Sequence, residues 1–171
     1  SEPPSSADPG TIFAAYVAAQ AFAGLTPLRL HLRCGPDRLE GWVNVDADGN
    51  PDLRLDVGYG LPFGDGSVDA IYAWRLVDDL GELTNVLAAE AARVLRAGAA
   101  IRLVTGDRAR ALARRDRLAA QGVILVGDEA RMPPFDYQML ETILHRAGFP
   151  VIREVAVDSS LHAHLGGIES R

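Results

Sequence analysis

The hydrophobic period of this chain switches repeatedly between that of a strand and that of a helix, and the alternation limits the folds open to it. Leu28 to Cys34 is a short apolar run ending at Gly35-Pro36, and Trp42 to Val45 is another, ending in Asp46. Leu53 to Val57 and Val68 to Trp74 follow. Each has strand length and turn residues at its ends. From Glu82 to Arg96 the spacing is helical, with Leu83, Val86, Leu87, Ala91, Val94 and Leu95 on one side and Gly98 as the stop. Ile101 to Thr105 predicts a fifth strand, Arg108 to Gln121 a polar helix, and Val123 to Val126 a short extra apolar run. Phe135, Met139, Leu140, Ile143, Leu144 and Ala147 mark an amphipathic helix closed by Gly148, and Val151 to Val157 a last strand. Strands alternating with helices predict an α/β domain with a mostly parallel sheet.

At 171 residues the chain has room for one domain. Residues 1–10, with three prolines, read as a flexible lead-in to a single domain over 11–171. Thr11 is placed to cap a first helix whose larger apolar side chains are Ile12, Phe13, Tyr16, Val17 and Phe22. The net charge of −6 argues against a nucleic-acid partner held by an overall basic field. All 17 basic residues are arginine, which removes Schiff-base lysine chemistry and the lysine of a P-loop. An arginine-rich, lysine-free composition also suggests a GC-rich, bacterial genome. One cysteine, Cys34, excludes an internal disulfide framework and a thiolate zinc cluster. No apolar run reaches the roughly 20 residues of a membrane helix, and no arginine precedes Ile12 to Gly24 as a signal peptide would require. The expectation is a soluble, cytoplasmic domain without a membrane partner.

In open parallel sheets, ligands sit at the carboxyl ends of the strands, near the point where strand order reverses. Those ends carry Arg33-Cys34-Gly35-Pro36, Asp46, Asp56, Ala73 to Asp79, and Thr105-Gly106-Asp107. An acid after the second strand can accept from a ribose diol, and a Gly turn after the first lets backbone amides approach a ligand. Acids at strand ends also cap helices and turns, so spacing alone leaves both roles open.

Leu30-His31-Leu32-Arg33-Cys34-Gly35, Gly41-Trp42-Val43-Asn44-Val45-Asp46, Leu61-Pro62-Phe63 with Ser67-Val68-Asp69, and Arg93-Val94-Leu95 occur in that order. Together they resemble the class I S-adenosylmethionine-dependent methyltransferases, particularly the small bacterial type 11 branch. The resemblance covers about Leu28 to Asp107, with Ala147-Gly148-Phe149 similar to that family's late helix end. It implies a Rossmann-like three-layer sandwich and S-adenosylmethionine as cofactor. By position, Arg33, Cys34 and Gly35 would cradle the methionine half, and Asp46 would hold the ribose hydroxyls. Asp56 and Val57 would line the adenine pocket, and Ala73 and Trp74 would lie under the methionine end. His31 falls where the family often has a polar or acidic residue and would orient the loop or make a structural hydrogen bond.

The departures from that pattern are as informative. The family usually has Gly where this chain has Arg33, Glu-His where it has Asp78-Asp79, Pro-Gly-Gly at Ala97-Gly98-Ala99, and Pro at Gly106. The chain stops at Arg171, about where the family's final antiparallel strand would begin, so an open sheet edge and a homodimer through it are expected. Three functions follow: methyl transfer to a small-molecule or sugar-like acceptor, a catalytically degenerate domain that binds a partner protein or another ligand, or a methyltransferase-like fold that catalyses a non-methyl reaction. No catalytic base stands out. Packing in a strand-end turn accounts for Cys34 better than a nucleophilic role does. His162 and His164 alternate but lack a third metal ligand. Arg110, Arg114 and Arg117, at i, i+4 and i+7, make a stripe that reads as a solvated face or as a receiver of an acidic substrate or partner.

Overall fold

A computed structural model describes residues 9–122, 133–155 and 165. Five strands, β1 (Arg29–Leu32), β2 (Val43–Asp46), β3 (Leu53–Arg54), β4 (Val68–Trp74) and β5 (Leu95–Val104), form one all-parallel sheet in the order β3-β2-β1-β4-β5. With helices on it, this is the α/β architecture with a parallel sheet that the alternating periods predict, and it is Rossmann-like, as the resemblance implies. The chain runs outward from β1 to β3 and then returns to lay β4 on the other side of β1. Strand order therefore reverses between β1 and β4.

The central strands read as continuous apolar runs because both of their faces are covered. Leu30, Leu32, Val43, Val45, Ile71 and Ala73 point into one core, packed by α3 (Thr84–Val94) and α5 (Tyr137–Ala147). Leu87, Ala91 and Val94 of α3 enter it at helical spacing, as does Leu140 of α5. Asp136 caps the start of α5 by accepting from the Met139 amide at 2.9 Å, and Gly148, at φ 106°, ends it in the left-handed conformation. On the opposite face a smaller cluster joins Trp42, Ala70, Tyr72 and Leu165. The β1–β2 connection, ten residues from Arg33 to Trp42, contains no helix.

Some elements differ from the sequence reading. The first helix, α1, spans Pro9–Ala19, so Pro9 and Gly10 belong to it and Thr11 lies inside rather than at its cap. Proline is well suited to a first helical turn, where its missing N–H is no loss. Ala15 and Ala19 are the side chains it buries, whereas Ile12, Phe13, Tyr16 and Val17 are exposed, because α1 lies close to the sheet on its small residues. The helix expected over Glu82 to Arg96 begins at Thr84, after the short helix α2 (Val77–Leu80) and a 3₁₀ turn at Gly81–Leu83, and leaves Leu83 and Val86 exposed. It ends at Val94, and β5 starts at the next residue and runs through Gly98 instead of beginning at Ile101. Val68 pairs with Leu95 but Ala70 pairs with Ala100, so extra residues are accommodated as an irregularity around Gly98, at φ 80°. Residues 151–155 form no strand, and Val151 and Val155 are exposed. The apolar run at 123–126, the remainder of that last strand, and His162 and His164 fall outside the described residues.

Candidate functional site

The carboxyl ends of β1, β2, β4 and β5 meet at the point of strand reversal, and a hydrogen-bonded network of turns covers them. At the end of β1, Arg33 and Gly35 both adopt positive φ, 55° and 54°. That coil aims the Gly35 amide at Asp46, which accepts from it through Oδ2 at 2.8 Å and from the Asp48 amide through Oδ1 at 3.1 Å. Asp46 is thus held in place by main-chain donors, one per oxygen. Each carboxylate oxygen has a second lone pair with which it can accept from a ligand hydroxyl.

Arg33 reaches across the reversal point. Its Nη1 donates to the carbonyl of Arg75 at 2.9 Å, and its Nη2 is ion-paired with Asp79. Both side chains keep solvent contact, at 44% and 31% exposure. The receiving turn is itself braced. Arg75 also has positive φ, 53°, and its amide donates to the Val104 carbonyl. Its Nε donates at 3.1 Å to Asp78, whose side chain is 3% exposed and also accepts from the Thr105 hydroxyl. A clasp therefore joins β1 to β4, with β5 behind it.

The remaining predicted residues are distributed around this network. Ala73 is buried and Trp74 is 42% exposed at the end of β4, next to the clasp. Asp56 caps a 3₁₀ turn over Val57–Tyr59 by accepting from the Gly58 amide at 2.9 Å, and Val57 beneath it is buried. That turn is tied to β2 through the Leu55 amide and the Asp46 carbonyl. Cys34 is buried, and burial, with Asp46 close by, pushes its thiol upward, away from the thiolate a nucleophile needs.

His31 stands apart from the group. It faces the second side of the sheet, with its ring 5.2 Å from that of Tyr72 and Nδ1 3.1 Å from Asn44 Oδ1. Asn44 Nδ2 donates to the carbonyls of Leu39 and Trp42 and to Asp52, so Oδ1 is the acceptor and His31 Nδ1 carries the proton. The Leu39 amide donates to the same Oδ1 at 2.8 Å. Asn44 thus gathers the helix-free β1–β2 connection onto the sheet, with His31 buttressing it and burial lowering the imidazole's pKa. A groove of about 420 Å³ at this end of β2 is walled by Arg38, Asn44 and Asp52, which are already bonded to one another.

Arg33, Gly35, Asp46 and Trp74 are therefore brought together, with Asp56 and Val57 linked through β2, and His31 is not. Sequence reading missed the brace formed by Arg75, Asp78 and Thr105. Its only trace was the polar content of the two strand ends, Ala73 to Asp79 and Thr105 to Asp107. Among the described residues no three His, Cys, Asp or Glu side chains stand close enough to hold a metal ion, and no helix is long and apolar enough to cross a membrane. No protein-family model matches the chain, and comparison with curated proteins returns no match.

Proposed function

We propose that this chain is a methyltransferase-like binding domain that has given up methyl transfer and serves as a partner or ligand-binding subunit. The observation that carries the reading is the Arg33 clasp. If the resemblance is followed residue by residue, the space between the ends of β1 and β4 is where an S-adenosylmethionine tail would lie, and the Arg33 side chain runs through it to Arg75 and Asp79. The nucleoside end fits better, since Asp46 is fixed at the end of β2 with acceptor capacity left. One half of such a cofactor is thus provided for and the other is obstructed. A cytoplasmic setting in a bacterium goes with this reading.

Methyl transfer from S-adenosylmethionine to a small-molecule or sugar-like acceptor is the second reading. One observation favours it: the Arg33–Asp79 pair is solvent-exposed, and such pairs contribute only about 0–1 kcal/mol, so a ligand could displace it. Calorimetric titration of the domain with S-adenosylmethionine and with its demethylated product separates the two. The proposal expects no binding by the natural chain and a gain in Arg33→Gly. Micromolar binding by the natural chain, lost in Asp46→Ala, would instead make the enzyme reading the working one, to be followed by an acceptor screen.

A further inference from the structure

Helix α4 (Arg108–Ala120) carries five arginines and one aspartate in thirteen residues. Its charge is +4 in a chain whose total is −6, so the remainder of the protein is −10. The helix buries none of its own side chains. It is held at its start, where Asp107 accepts from the Arg110 amide at 2.9 Å and the Arg108 amide donates to the Phe135 carbonyl at 2.9 Å. Arg110 pairs with Glu154, and Arg115 makes a long 3.7 Å contact to Asp116. Arg108, Arg114 and Arg117 form no ion pair among the described residues. Arg110, Arg114 and Arg117 line one side of the helix over about 10 Å of its length.

We propose that this stripe docks a short acidic segment of a partner protein. An Arg row at i, i+4 and i+7 matches a helix with carboxylates at the same spacing, and the guanidinium fork suits carboxylate pairing. The flanking charges select a short partner over a long polyanion. Asp107 and Glu154 border the stripe, and a nucleic acid continuing past it would meet the acidic body of the domain. A lipid surface is disfavoured because Leu112 and Leu118 are the only large apolar side chains on the helix. The clasp lies elsewhere, so this surface stands whether or not the methionine space is open.

Fluorescence anisotropy of the full chain tests the assignment with three probes. These are a labelled helical peptide of about 15 residues with Glu at i, i+4 and i+7, a thymidine oligonucleotide of matching length, and phosphatidylserine vesicles. The peptide is expected to bind in the micromolar range at low salt and to weaken as salt rises. The double variant Arg114→Glu/Arg117→Glu, with an unchanged melting curve, should raise its Kd by about tenfold or more. Absence of peptide binding, peptide binding that ignores the double variant, or tighter binding of the oligonucleotide or vesicles would each overturn the proposal. If the double variant melts early, Arg114→Gln/Arg117→Gln repeats the test without repulsion and should still weaken the peptide.

Discussion

Replacing Arg33 with glycine should leave the stability of the domain nearly unchanged, because opposing effects at that residue are of similar size. Arg33 sits at φ 55°, where a side chain bearing a Cβ costs about 1–2 kcal/mol, and glycine removes that cost. Against it stand about 0.5–1 kcal/mol of additional unfolded-chain entropy. The exposed pair with Asp79 contributes about 0–1 kcal/mol, and the hydrogen bond to the Arg75 carbonyl about 1 kcal/mol. The difference lies within about 1 kcal/mol of zero, a shift of about 2–4 °C in Tm for a chain of this size. Arg33→Ala loses the same contacts but keeps the Cβ, so it should fall about 1 kcal/mol below Arg33→Gly. Thermal melts followed by circular dichroism, together with urea titrations, measure both variants. A loss above about 2 kcal/mol in Arg33→Gly would refute the reasoning. It would mean that the clasp fastens β1 to β4, and is not a removable cover over a cleft.

Two further outcomes follow from the second face of the sheet. Asn44→Ala removes a buried amide that serves Leu39, Trp42, Asp52 and His31, and should cost about 3 kcal/mol or more, read as a lower urea midpoint with m unchanged; a loss under about 1 kcal/mol would show that the connection is held by its main chain. His31 is depressed by burial, so it stays neutral in the folded chain while the unfolded chain protonates below about pH 6.5. Its contribution is complete above that pH and is lost as pH falls toward the folded value, and His31→Gln should flatten that part of the stability profile.

The strands were legible where both faces are covered. Leu30, Val45 and Ile71 lie in short apolar runs bounded by turn residues, and those runs became β1, β2 and β4. Helix faces were less legible, because apolar content does not say which side meets the sheet. In α1 the small Ala15 and Ala19 approach it, and Phe13, at 68% exposure, does not. Gly98 looked like a stop, yet a parallel partner carried β5 through it by pairing Ala100 with Ala70. At the site, Asp46 and Gly35 could be expected from their places after successive strands. The joining of Arg33 to the Arg75 carbonyl could not, because it depends on two arginines in left-handed backbone, a conformation that arginine does not advertise.

The burial of Leu165 against Trp42, Ala70 and Tyr72 also has a consequence for biosynthesis. Among the described residues, one side of the sheet has its packing residues in place by Phe149, just past α5, with Leu140 the last large one that is buried. The other side waits for a residue about a hundred positions beyond those it covers. During synthesis the described residues of the first layer are therefore all made well before Leu165, the described residue farthest along the chain that packs on Trp42, Ala70 and Tyr72.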